Sequence, residues 1–158
     1  MSEPAIRAAT HDDADALARL RFQLYLEQDP AIAEPFDAYV PRFRTFAAWA
    51  LGRDDWRGWV AEGEDGIVGN AWLQTVPRVP APGRRDPSHM GYLTNMYVAP
   101  ELRGSGLGRR LLDTVLDHCR AEGFELVLTF PADAAYGFYA HAGFARLPYP
   151  VVHGLEDA

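Results

Sequence analysis

Met96-Tyr97-Val98-Ala99-Pro100-Glu101-Leu102-Arg103-Gly104-Ser105-Gly106-Leu107-Gly108-Arg109 is the stretch on which the fold turns. Before it, His89 to Val98 carries Tyr92, Leu93, Met96, Tyr97 and Val98, a mix that suits a strand covered on both faces, and Pro100 ends it. After it, Leu107, Leu111, Leu112, Val115, Leu116 and Cys119 recur at helical spacing until Glu122-Gly123. Strand, glycine-rich turn and helix therefore follow one another. The first N–H groups of a helix lack intrahelical partners and lie at the positive end of its dipole. Glycines let the backbone approach a bulky anion without Cβ clashes, which makes the turn a candidate phosphate site. Two common phosphate loops are excluded. A P-loop needs a lysine after its last glycine, and the chain contains no lysine; a dinucleotide fingerprint needs G-x-G-x-x-G, whereas the glycines here are 104, 106 and 108. On the glycines alone, a turn that merely starts a helix explains them equally well.

Ala5 to Ala9 reads as a short strand. Thr10 caps a helix running to about Glu27, with Asp12 and Asp13 in its first turn and Leu17, Leu20 and Leu24 on one face. Asp29-Pro30 breaks it, and Ala31 to Val40 is ambiguous. Phe43, Phe46, Ala47 and Ala50 mark a second helix, with Pro41 near its first turn and Gly52 at its end. Trp56–Ala61 and Ile67–Val76 predict a hairpin around Glu62 to Gly66. Pro77 to Ser88, rich in proline, reads as an exposed loop. Beyond the central helix, Phe124 to Phe130 predicts an apolar strand and Asp133 a cap for a short helix through Ala142. Phe144–Leu147 and Val151–Leu155 predict further strands. The order is that of a mixed α/β domain with a central sheet.

The chain has 158 residues, 48% of them hydrophobic, and is read as one domain over 1–158. A chain of this length buries roughly 70% of its unfolded surface, so no disulfide or metal staple is needed. Cys119 is the single cysteine and reads as a buried apolar residue, and no metal-binding cluster is visible. The net charge of −7 disfavours nonspecific nucleic-acid binding and weakly favours a cationic or neutral substrate. Neither a signal core nor a membrane-length apolar run is present, so the expected location is cytoplasmic, with no membrane partner.

Two motifs carry a resemblance. Arg103-x-x-Gly106-x-Gly108 matches Arg/Gln-x-x-Gly-x-Gly/Ala, and Tyr139-Ala140-His141-Ala142-Gly143-Phe144 matches Tyr-x-x-x-Gly-Phe, with a helix and an apolar strand between them. In this the chain resembles the GNAT acyltransferase superfamily along nearly its whole length. The resemblance implies a central, mostly antiparallel sheet of six to seven strands flanked by about four helices. It implies acetyl-CoA as co-substrate and no metal. Backbone N–H groups of Gly104, Ser105, Gly106, Leu107, Gly108 and Arg109 would bind its pyrophosphate, with Arg103 holding the loop or meeting a phosphate. Met96, Tyr97 and Val98 would pair with pantetheine, and an N–H there would polarise the thioester carbonyl. An amine would attack directly, and Tyr139 would protonate the leaving thiolate. A homodimer is also compatible with it.

The strand Tyr92-Leu93-Thr94-Asn95-Met96 lacks the carboxylate many such relatives use as a base, which leaves a water chain, His89, Glu62 or His153. On the acceptor side, Phe22, Tyr25, Phe36, Trp72 and Tyr149 are candidates for an aromatic wall, and Asp29, Glu34 and Asp37 for attracting an amine. The leading reading is acetyl transfer to a primary amine of a small molecule or peptide. The rivals are an acyl-CoA sensor without turnover and a protein N-acetyltransferase.

Overall fold

The computed structural model describes residues 2–147. The expected strand Val151–Leu155, together with Tyr149 and His153, lies outside the described residues. The chain runs β1 (Ala5–Ala8), α1 (Ala14–Gln28), α2 (Phe36–Leu51), β2 (Trp56–Gly63), β3 (Gly66–Pro77), β4 (His89–Val98), α3 (Leu107–Ala121), β5 (Leu126–Leu128) and α4 (Tyr136–His141). The strands form one sheet in the order β1-β2-β3-β4-β5. All neighbours are antiparallel except β4 and β5, which the crossover through α3 makes parallel.

Side chains alternate across the sheet, as the two-residue period of a strand requires. Val60 and Trp72 pack on one face with Leu17 and Ala18 of α1 and Phe43, Ala47 and Ala50 of α2. Trp59, Ala71, Leu73 and Leu93 pack on the other with Leu111, Leu112, Val115 and Cys119 of α3 and Tyr139 of α4. Cys119 is 3% exposed, and burial pushes its thiol up to about 11, so it is a core residue and not a nucleophile. No helix among the described residues is long and apolar enough to cross a membrane.

The differences from the expected pattern have physical causes. The first helix opens through a 3-10 turn, His11–Asp13. There the Asp13 carboxylate accepts from the Thr10 backbone N–H at 2.8 Å and from Arg7 at 2.8 and 2.9 Å, tying β1 to α1. Helix α2 begins at Phe36, so Pro41 lies inside it instead of in its first turn. Phe36 and Tyr39 pack on Phe22 with ring centroids 5.3 and 5.6 Å away, and this packing outweighs the one hydrogen bond proline removes. Asp133 does not cap α4; it lies in a 3-10 turn, Asp133–Ala135, closed by the bond from Ala135 N–H to the Ala132 carbonyl at 2.8 Å.

The sheet has five strands among the described residues, against six to seven expected. Phe144–Leu147 forms no strand there. Gly143, at φ +92°, reverses the chain. Phe144 N–H bonds back to the Tyr139 carbonyl at 3.0 Å, and the Phe144 ring packs on the Tyr139 ring at 5.3 Å. That is a helix-capping turn with its usual hydrophobic contact, and it occupies the motif's Gly-Phe pair.

Candidate active site

β4 and β5 pair only at Met90, Gly91 and Tyr92 opposite Leu126, Val127 and Leu128. Beyond Tyr92, β4 continues to Val98 without a β5 partner. The two strands part there, so one edge of residues 93–98 is open and the two faces of the sheet communicate.

Within that open length β4 carries a bulge. Asn70 on β3 faces Tyr97, but Trp72 faces Thr94, so Ala71 alone spans Asn95 and Met96. Asn95 has φ +50°, the one positive value outside glycine among the described residues. Such a residue persists only where its surroundings hold it, and these clusters mark functional sites. The holder here is Asn70, fully buried, whose Nδ2 donates to the Asn95 carbonyl at 2.7 Å. Its Oδ1 is buried without a hydrogen-bond partner among the described residues. Sequence reasoning missed both asparagines; a lone Asn inside each of two apolar strands was the available signal.

Tyr139 reaches the opening from α4. It is buried, and its hydroxyl lies 3.8 Å from Met96 Sδ, beside the bulge. Burial raises its pKa above the ordinary phenol value, partly offset by a hydrogen bond with Thr129, so the proton stays on.

The loop from Arg103 to Arg109 lies at the end of β4. Gly104 and Gly106 have φ +80° and +89°, and Gly106 is the N-cap of α3. The backbone N–H groups of Gly104, Gly106, Gly108 and Arg109 donate to no acceptor among the described residues. They form the free donor set an anion requires at a helix start. The expected Ser105 and Leu107 donors are already engaged: Ser105 N–H and Oγ both donate to the Leu102 carbonyl, at 3.4 and 2.7 Å, and Leu107 N–H donates to Ser105 Oγ at 3.4 Å. The Arg109 side chain binds Asp113 and the His141 carbonyl.

Arg103 points away from the loop's mouth. Its guanidinium donates to the Val98 carbonyl at 3.0 Å and to Glu27 Oε2 at 2.8 Å, and lies 5.3 Å from the centre of the Tyr97 ring. Glu27 also accepts from the Tyr97 hydroxyl at 2.5 Å. Desolvation works to raise the Glu27 pKa, but these two donors prevail and lower it, while Tyr97 is pushed up by burial and by that carboxylate. Arg103 thus fastens the loop to β4 and to the end of α1. Glu27 was not anticipated from sequence, because nothing local marks a glutamate near a helix end as a partner for residues seventy or more positions away.

The other candidates are dispersed. His89 packs against Phe124 at the far end of β4, about 20 Å from Asn95 at the rise of a strand. Glu62 is ion-paired to Arg7 at 2.7 Å. Trp72 is 1% exposed and belongs to the core under α2, not to a wall. Glu34 is held by Arg42 at 2.6 Å, and Asp29 accepts from the Ala31 N–H at 3.0 Å; Asp37 lies exposed in the first turn of α2. Phe22, Phe36 and Tyr25 do lie on the α1–α2 side of the opening.

The acetyltransferase (GNAT) family profile matches residues 21–144, a span that holds the bulge, the glycine loop and Tyr139. The chain belongs to the GNAT family. Among GNAT relatives, the N-alpha-acetyltransferase RimI of Mycobacterium tuberculosis is 29% identical over 155 residues, covering 92% of this chain and 82% of that protein. A mycothiol acetyltransferase of Cellulomonas flavigena is 30% identical over 102 residues, 63% of this chain. This chain covers only 29% of that longer protein. In three dimensions, a predicted acetyltransferase of Clostridium acetobutylicum, solved with acetyl-CoA, superimposes with a TM-score of 0.80 at 20% identity, covering 96% of both chains. The GNAT fold is therefore present; one motif segment follows the end of β4, and the other brings Tyr139 beside Met96 within the opening.

Proposed function

We propose that this protein transfers an acetyl group from acetyl-CoA to a primary amine of a small molecule or peptide, by direct attack. The observation that carries the reading is the convergence at the β4 opening: free loop N–H groups at one end, the Asn95–Met96 bulge in the middle, and the Tyr139 hydroxyl beside it. The pyrophosphate takes the free N–H groups of Gly104, Gly106, Gly108 and Arg109 at the start of α3. Pantetheine lies along the open edge of β4 at Met96, Tyr97 and Val98, where β5 has departed. A backbone N–H of the bulge faces the thioester oxygen, as strain held in advance of reaction would permit. The neutral amine adds to the thioester carbon. The tetrahedral intermediate expels the CoA thiolate, which takes the Tyr139 proton, and the amine's surplus proton passes through water to restore the phenol. A single buried cysteine suits a reducing compartment, in keeping with a cytoplasmic enzyme.

The test is CoA thiol release across an amine panel in the wild type and in Tyr139→Phe, beside acetyl-CoA binding by calorimetry. Release that depends on an amine and collapses in the variant supports the reading. Tight binding with no release from any amine would replace it with an acyl-CoA sensor.

A further inference from the structure

Helix α1 delivers two charged side chains to β4, six residues apart: Glu27 to Tyr97, and Arg21 to Asn95. Glu27 is answered by Arg103, but Arg21 has no carboxylate. Among the described residues every other arginine either pairs with a carboxylate or lies exposed; Arg21 does neither. Its guanidinium donates to Asn95 Oδ1 at 3.3 Å and to the Tyr25 hydroxyl at 3.0 Å, lies 4.5 Å from the Tyr25 ring centre, and faces the Tyr39 phenol. A guanidinium carries five N–H donors in a planar fork, and two neutral acceptors leave most of them unused. A cation partly removed from water without a counter-ion gains most from an anion that arrives beside it.

The position is also the right one. Tyr139 belongs to the α3–α4 face and Arg21 to the α1–α2 face, and both reach adjacent residues of the bulge, Met96 and Asn95. The departure of β5 joins the two faces there. The thioester approaches along the Tyr139 side, which leaves the Arg21 side for the acceptor.

We propose that Arg21, flanked by the phenols of Tyr25 and Tyr39, binds an acidic group on the acceptor, so that the substrate is an amine carrying a carboxylate a few bonds from its nitrogen. This rests on the acetyl-transfer reading and adds the substrate class. The planar fork favours a carboxylate, and a short phosphorylated amine would present the same charge. The protein's overall negative charge does not attract such a substrate, so recognition is local to this cation.

CoA release is measured with glycine against glycinamide, with β-alanine and 4-aminobutyrate for reach, and with phosphoethanolamine for the second source of charge. The expected result is an acid-to-amide ratio in kcat/KM of at least ten, declining toward 4-aminobutyrate. A phosphoethanolamine rate above that of glycine names phosphate as the preferred anion at the same residue. Arg21→Gln is expected to bring the ratio to about one, mainly through KM for the acid, while calorimetry finds acetyl-CoA affinity within about twofold of wild type. An amide used as well as its acid by the wild type overturns the proposal without any variant, and so does an unchanged ratio in Arg21→Gln. If that variant no longer binds acetyl-CoA, Arg21→Lys, which keeps the charge and loses the fork, must give an intermediate ratio; an unchanged ratio again overturns the proposal. If no amine releases CoA, the acetyl-transfer reading fails by itself. Saturable thermal shifts of the CoA-loaded protein then decide this one: stronger for glycine than for glycinamide sustains it, and equal shifts sink it.

Discussion

Replacing Asn70 with Leu separates what holds the protein together from what prepares its site. The side chain is fully buried, and its amide gives one hydrogen bond, 2.7 Å long, to the Asn95 carbonyl. Losing that bond leaves a partly buried carbonyl without its donor, at up to about 1–3 kcal/mol. The same substitution removes the orphaned Oδ1, whose burial costs a similar amount, and leucine nearly preserves the volume. The two changes oppose each other, so the net effect on stability is centred near zero. For a domain of this size 1 kcal/mol moves Tm by about 2–4 °C, so a shift within about 4 °C is expected. Activity responds differently. Asn95 at φ +50° stores about 1–3 kcal/mol that the clamp maintains. Without it the bulge relaxes, and restoring it in each turnover costs that amount, which lowers kcat/KM by about 5- to 150-fold. Thermal melts and CoA release kinetics on the same preparation test both halves. A variant with kcat/KM within twofold of wild type and Tm lowered by more than about 8 °C would refute the reasoning, because Asn70 would then be structural only.

Three further outcomes are expected. Tyr139→Phe should lower kcat by about 10²–10⁴-fold with acetyl-CoA affinity little changed, read by steady-state kinetics and calorimetry. Its raised pKa places the alkaline limb of the wild-type profile above pH 10 and removes it from the variant; because folding raises that pKa, its stabilising share is full below pH 10 and fades as pH climbs through the folded value. Glu27→Gln should weaken acetyl-CoA binding by about 3- to 10-fold, since Arg103 loses its charged partner and the loop its anchor. The Glu27 pKa is lowered in the fold, so in the wild type this contribution is present at neutral pH and decays as pH falls through the carboxylate range, which a pH series of melts will follow. Gly106→Ala meets no atom within 4 Å, so its cost is purely the left-handed backbone, about 1–2 kcal/mol, read as a 5- to 30-fold loss of acetyl-CoA affinity.

The readable parts of this chain were those governed by local periodicity. Strand β4 and helix α3 fall where a two-sided apolar mix and helical apolar spacing placed them, and the glycine loop falls between them as its φ angles demand. A short motif put Tyr139 forward, and its hydroxyl lies beside Met96. Its Gly-Phe continuation was misread as a strand, because a capping turn and a strand start use the same residues until the chain reversal at Gly143 is visible. What escaped was long-range. The pairings of Asn70 with Asn95, Glu27 with Arg103 and Arg21 with Asn95 join residues 25 to 76 positions apart. None of these side chains has a periodic neighbour to betray it, and a buried polar residue is decided by partners the sequence does not put beside it.

The early parting of β4 and β5 has an evolutionary consequence. A donor that docks on exposed main chain asks little of the side chains around it, because every residue offers the same N–H and C=O. What such docking would require there is a shape, a flared pair of strands with a kink, more than particular side chains. Such a requirement is compatible with an architecture shared at a TM-score of 0.80 and 20% identity. On the proposed acceptor side, where Arg21 and Tyr25 meet through their side chains, recognition would depend on residue identity instead.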